Sequence, residues 1–226
     1  MIMDGSIKRT LHPDQPPWLT SLQNDMALLT NQDAKKHWGS QELHGAPYYN
    51  ARLEHIQQVE RDALRLTQEI PADHDILLAS VWIHDRFRPW FEGDEHAVKS
   101  AVWARDHLAG LGFPAEKVEA VVFAIEHHID LPGEIPEYAI EARLLWDADK
   151  LAKMGPLNIV SYLCSHPAFP EQKITYSSLA LLGLEKLERS RRIAESLYYD
   201  LSRKIAHERY QHQKLFYESL AHDVEA

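Results

Sequence analysis

The sequence predicts an all-α protein, a helical bundle core carrying an N-terminal extension and a long C-terminal helix. Three observations carry that prediction. Apolar residues recur at three-to-four spacing along most of the chain. Alternating strand-like stretches are scarce. From Ser178 to Val224 there is no proline and one glycine, Gly183. With 226 residues and 45% hydrophobic content the chain is long enough for one well-packed domain.

Residues 1–50 read as the extension. Pro13, Pro16 and Pro17 interrupt its start, Trp18 to Thr30 has the pattern of a short helix, and His44 to Tyr49 reads as a turn. The core begins at residue 51. Arg52 to Thr67 places Ile56, Val59, Ala63 and Leu66 on one stripe. Asp75 to His84 is apolar almost all round, as a central helix must be, and Pro89 stops it. His96 to Ala109 carries Ala97, Ala101, Ala104 and Leu108 inward and ends at Gly110 and Gly112. Pro114 opens a helix with Val118, Val121, Val122 and Ile125 on its inner face. After a loop marked by Pro132, Gly133 and Pro136, Glu137 to Met154 forms a further helix ended by Gly155 and Pro156. The core closes near residue 165. Ser178 to Val224 then gives one or two amphipathic helices, whose Tyr198, Leu201 and Ile205 stripe suits core packing or contact with a second copy.

Composition narrows the function. A net charge of -10 disfavours nucleic-acid polymers, whose phosphates call for lysine and arginine. The mostly apolar run from Ile76 to Ile83 is far short of the ~20 residues that span a bilayer. The opening residues lack the apolar core of a secretory signal, and a single cysteine, Cys164, fits a cytoplasmic setting. No glycine-rich phosphate loop, Cys-x-x-Cys pair or Gly-x-Ser-x-Gly elbow is present.

Against that background 14 histidines stand out. His55 lies on the inner stripe of its helix, and His84 and Asp85 close the buried apolar helix. Asp149 shares a stripe with Ala142, Leu145 and Ala152. Imidazole and carboxylate are the usual ligands of divalent transition ions. Left unpaired inside a protein they would cost several kcal/mol, which an ion removes. Asp147 competes with Asp149, lying on its own stripe with Ile140, Leu144 and Leu151, and periodicity does not separate the two. The dipeptide His-Asp by itself is weak, since it also occurs at 74–75 and 222–223.

The ordered segments RLEHIQQV around His55, ILLASVWIHD ending at Asp85 and LLWDADKLAKMG around Asp149 resemble the HD-domain metal-dependent phosphohydrolase superfamily over residues 50–165. The resemblance implies a bundle of about five helices holding His55, His84, Asp85 and Asp149 on a divalent ion (Mn, Fe, Co, Ni, Zn or Mg). It favours Asp149 over Asp147, because the family's aspartate precedes a lysine. Some branches bind two ions with six ligands. The additional candidates here are His96 and His128, with His127 as the rival to His128. His128 continues the Val121 and Ile125 stripe, whereas His127 follows Ala120 and Phe123.

Arg52 stands as in the Arg-x-x-His of the deoxynucleotide triphosphohydrolase branch, and Lys150 follows Asp149 as its Asp-Lys does. The resemblance therefore implies phosphate contacts for both. Arg88 occupies a place where certain relatives carry a catalytic glutamate, and suits phosphate better than proton transfer. Glu92, Asp94 and Glu95 are nearby acids, and no proton donor is assigned. The implied activity is hydrolysis of a phosphate ester or anhydride of a nucleotide or other small phosphorylated molecule. Two rivals share the motif set: an oxygenase holding two irons, and a ligand-sensing module with a structural metal. A homo-oligomer through the last helix is the expected assembly.

Overall fold

The computed structural model describes residues 15–38, 42–43, 46–88, 95–129, 133–168 and 173–225. Expectations placed on Pro13, His44, Pro89, Glu92, Asp94 and Pro132 lie outside them. Helix α1 spans Pro17–Trp38, followed by a two-residue antiparallel pair, β1 (Glu42–Leu43) with β2 (Ala46–Pro47). The core helices are α2 (Ala51–Leu66), α3 (His74–Ile83), α4 (His96–His107), α5 (Val118–His127) and α6 (Ile140–Ala152). Then come α7 (Gly155–Ser165), α8 (Tyr176–Ser196) and α9 (Asp200–Glu225). The all-α prediction stands.

Local chemistry sets the helix starts. The Asn50 side chain accepts from the Leu53 amide to cap α2, and Asp73 accepts from Asp75 and Ile76 to cap α3. Thr175 and Ser178 form a reciprocal capping box at α8. Helix α3 is central: Leu77 and Ala79 through Ile83 are all buried, because α2, α5 and α6 surround it. Helix α4 gives way to a 3-10 turn at Ala109–Leu111, closed by Gly112 at φ +87°.

The length of α1 and the role of Gly155 and Pro156 differ from the sequence expectation, whereas the C-terminal segment takes the two-helix form of the two it allowed. Helix α1 is longer than 18–30, and Trp18, Leu19, Leu22 and Met26 lie in the same apolar core as α2 to α6. Gly155, at φ +77°, and Pro156 end one helix but also open another. Pro156 fits the first turn of α7, where its missing N–H is not needed. The C-terminal segment is two helices folded back on each other. At their junction Asp147 accepts from the backbone amides of Tyr198 (2.9 Å) and Tyr199 (3.1 Å), next to the start of α9. The hairpin closes tightly where Gly183 of α8 faces the buried ring of Tyr217. Among the described residues no helix is long and apolar enough to cross a membrane.

Candidate metal centre

Five helix ends and faces bring candidate ligands to one place. Helix α2 presents His55, the turn after α3 presents His84 and Asp85, α4 presents His96 at its first residue, and α6 presents Asp149. His128 arrives at the C-terminal cap of α5. The donor atoms sort into two triads, His55–His84–Asp149 and Asp85–His96–His128, each within 4.8 Å.

Asp85 connects the triads. Its Oδ2 lies 3.5 Å from His55 Nε2 and 3.7 Å from His84 Nε2, while its Oδ1 lies 3.5 Å from His96 Nε2 and 3.8 Å from His128 Nε2. His55 Nε2 is 3.1 Å from Asp149 Oδ1. Because His84 and Asp85 are sequence neighbours at a helix end, where the chain turns, one serves the first triad while the other spans both.

The two deepest imidazoles are oriented from behind. His84 Nδ1 lies 2.7 Å from the Val81 carbonyl and His128 Nδ1 lies 2.6 Å from the Ile125 carbonyl. A carbonyl can only accept, so each Nδ1 carries the proton and each Nε2 turns its lone pair inward, as a metal ligand must. Burial pushes His84 down to about 3, which keeps it neutral at ordinary pH. Burial opposes charge on Asp85, but the surrounding imidazoles and the Arg88 guanidinium 2.9 Å away hold its carboxyl well below the usual carboxylate range. For Asp149 burial is likewise outweighed, by Lys150 at 2.9 Å and Lys153 at 2.6 Å.

The donor set fits a divalent ion on an observation independent of motif. His55 Nε2, His84 Nε2, Asp85 Oδ1 and Asp149 Oδ1 are buried and have no hydrogen-bond partner among the described residues. Four such orphans converging on one spot are costly unless something cationic sits between them. Imidazole and carboxylate together suit first-row divalent ions.

The rival ligands are placed elsewhere. Asp147 serves the α9 junction, and burial raises it to about 6 despite its hydrogen bonds from the two amides. His127 stacks on Phe123 at 3.9 Å and directs Nδ1 to the Phe123 carbonyl.

The centre opens into a cavity of about 250 Å³ whose wall includes His55, Asp85, Arg52, Arg88, Lys153, Asn158 and Ser161. Arg52 is tied down: it donates to Asp33 of α1 at 3.1 Å and to the Arg86 carbonyl at 3.3 Å, and also bonds the Arg88 carbonyl. Lys150 donates to the His128 carbonyl (3.0 Å) as well as to Asp149, and lies over the Trp146 ring. Lys153, Asn158 and Ser161 were not anticipated. Lys153 stands in the KLAKMG run four residues after Asp149, and that helical spacing was the signal available for it.

No family model and no curated protein matches the chain. Solved structures do. A predicted HD-superfamily hydrolase from an uncultured Thermotogales bacterium is 20% identical, with 92% of this chain and 93% of that chain covered at a TM-score of 0.59. An HD-superfamily hydrolase from Bacillus thuringiensis is 18% identical over 91% and 99%, TM-score 0.56. Bacillus subtilis YpgQ in complex with ADP is 18% identical over 91% and 96%, TM-score 0.60. Likeness along nearly the whole length of these chains shows a common architecture, and this chain has the HD-domain fold.

Proposed function

We propose that the protein is a metal-dependent phosphohydrolase acting on a small phosphorylated molecule. The observation that carries this reading is the pair of triads sharing Asp85 at the base of an open cavity rimmed by Arg88 and Lys153. His55, His84 and Asp149 would hold one ion and His96 and His128 a second, with Asp85 between them. Bound divalent ions supply Lewis acidity and lower the pKa of water.

The chain's own charges select the substrate. Arg88, Lys150 and Lys153 already outnumber the two ligand carboxylates, so each divalent ion adds to an existing positive excess. Such a centre asks for a multiply charged anion, and phosphate supplies one. Arg88 and Lys153 face the cavity and are the groups that meet phosphoryl oxygens, stabilising charge as it grows in the transition state. Arg52 and Lys150 act through their neighbours: Arg52 fixes the 86–88 turn that carries Arg88, and Lys150 fixes Asp149 and the carbonyl of His128. In the reaction a water oxygen bonds to phosphorus, the ester or anhydride P–O bond breaks, and a proton from the water ends on the departing oxygen. That YpgQ has been crystallised with ADP is compatible with a nucleotide here.

The test is a panel of phosphate esters, nucleotides and pyrophosphate run with Mn, Co, Ni, Mg and Fe. Metal-dependent phosphate or pyrophosphate release that disappears in Asp85→Ala supports the proposal. Full activity in that variant overturns it, as does protein that carries mixed-valence iron and consumes O₂ without releasing phosphate.

A further inference from the structure

Another cavity, of about 260 Å³, lies between the C-terminal half of α2, the first turn of α7 and the middle of α9. Among the described residues it has no lining residue in common with the cavity at the metal centre. Helix α9 gives it Ile205, Glu208, Arg209 and His212, whose i, i+3, i+4, i+7 spacing places them on one face. The buried part of its wall is apolar: Met154 is 2% and Ile205 1% exposed, and Leu157 of α7 adds to it. The rim carries charge of both signs. Arg65 of α2 and Glu208 of α9 oppose each other there at 4.0 Å, each about half exposed. A pair this long and this wet holds neither partner firmly. Arg209 adds little free charge, because it grips Asp62 with two nitrogens at 2.8 and 2.5 Å and donates to the Leu151 carbonyl at 2.8 Å. Arg65 is ten residues beyond His55 along α2, a rise of about 15 Å.

We infer that this cavity is a binding site for a free α-amino acid with an aliphatic side chain. Pockets for drug-sized ligands begin at roughly 300 Å³, so the occupant is smaller than those. The apolar wall calls for a hydrocarbon body. The rim decides the head group. A carboxylate or phosphate drawn to Arg65 would lie against Glu208, and an amine drawn to Glu208 would lie against Arg65. Each such pairing of like charges offsets the attraction beside it. A head group with both signs on neighbouring atoms answers both residues at once. Its carboxylate accepts from the fork of the Arg65 guanidinium, and its ammonium donates to Glu208. His212, one turn beyond Glu208, offers a ring nitrogen at the same edge. The inference stands apart from the phosphohydrolase reading, since it uses no metal ligand and no residue of the cavity around the centre.

Calorimetric titration of the full-length, manganese-loaded protein with leucine, 4-methylpentanoate, 3-methylbutylamine and glycine tests this. Leucine is expected to bind with a dissociation constant of about 1 mM or tighter. The other three lack the ammonium, the carboxylate and the side chain respectively, and each should bind at least about tenfold more weakly. Glu208→Gln and Arg65→Gln should each weaken leucine binding about tenfold. Both positions are about half exposed, so the variants are expected to fold, and unchanged thermal unfolding checks this. An amino acid can also chelate a metal ion, so the titration is repeated on protein stripped with chelator, which should bind leucine as tightly as the loaded protein does. The inference is overturned by any of four results: no leucine binding at about 10 mM, equal binding of leucine and the two analogues that lack a charge, undiminished leucine affinity in both variants, or loss of binding with the metal.

Discussion

Replacing Asp85 with alanine should remove two metal ions, whereas replacing Asp149 should remove one. Asp85 Oδ2 faces His55 and His84 while Oδ1 faces His96 and His128, all at 3.5–3.8 Å, so a single truncation takes a carboxylate oxygen from each triad. Asp149 lies in the His55–His84 triad alone. An ion present at a hundred times its dissociation constant stabilises the folded chain by about 2.7 kcal/mol. For a chain of this length each kcal/mol moves the melting temperature by roughly 2–4 °C. One ion is therefore worth about 5–11 °C, and two independent ions about twice that. The assay is metal content by mass spectrometry on protein stripped with chelator and reloaded with manganese, alongside melting with and without the metal. Wild type should carry two ions per chain and show the full shift, Asp149→Ala one ion and about half of it, and Asp85→Ala essentially neither. An Asp85→Ala protein that keeps one tightly bound ion and half the shift would refute the bridging role.

Two further outcomes follow from other parts of the molecule. Alanine at position 183 would ordinarily stabilise a helix by about 0.5–1 kcal/mol. Here the new Cβ would lie 2.2 Å from Tyr217 Cδ1 and 2.4 Å from Cγ, so Gly183→Ala should lower stability by about 1–3 kcal/mol in urea unfolding; a gain would show that the α8–α9 hairpin has slack. Asp147, raised by burial from 3.8 to about 6, holds its proton more tightly in the folded chain than in the unfolded one. Its contribution is complete below pH ~4 and lost as pH rises through ~6, a change of up to about 3 kcal/mol. The stability of metal-free Asp147→Asn minus that of wild type should increase across that window, and a flat difference would contradict the assignment.

The clustering of the candidate ligands was legible because these residues combine two signals that rarely coincide, a side chain of metal-binding type and a place on an apolar stripe. His128 illustrates it: the Val121–Ile125 stripe points it inward, and it reaches Asp85, while His127 turns to Phe123. Asp147 and Asp149 show where the signal stops. Helix α6 is buried on several sides, between the core and α9, so two aspartates two residues apart are both inward and periodicity says nothing about what each one meets. Whether a buried carboxylate meets ions or the amides of a distant junction depends on a segment fifty residues away. Helix α7 was missed for a related reason. Gly155 and Pro156 read as a stop, and the same glycine at positive φ followed by proline is also a way to begin again. With α7 went Asn158 and Ser161, and the cavity's second wall. Arg52 was recognisable as a residue of interest, but the partner that occupies it, Asp33, lies on a helix outside the stretch that carried the resemblance.

Helix α1 reaches the metal centre by way of two struts. Asp33 holds Arg52 against the turn carrying Arg88, and Asp25 holds Arg86 at 2.5 Å while the Arg86 guanidinium packs 3.8 Å over Trp103. Trimming the protein to its recognisable motif region would leave all six candidate ligands in the chain yet strip the scaffolding from the segment that follows Asp85. The scaffold of the candidate centre thus begins well before the motifs do, and any transplant of it into another framework must bring its first helix along.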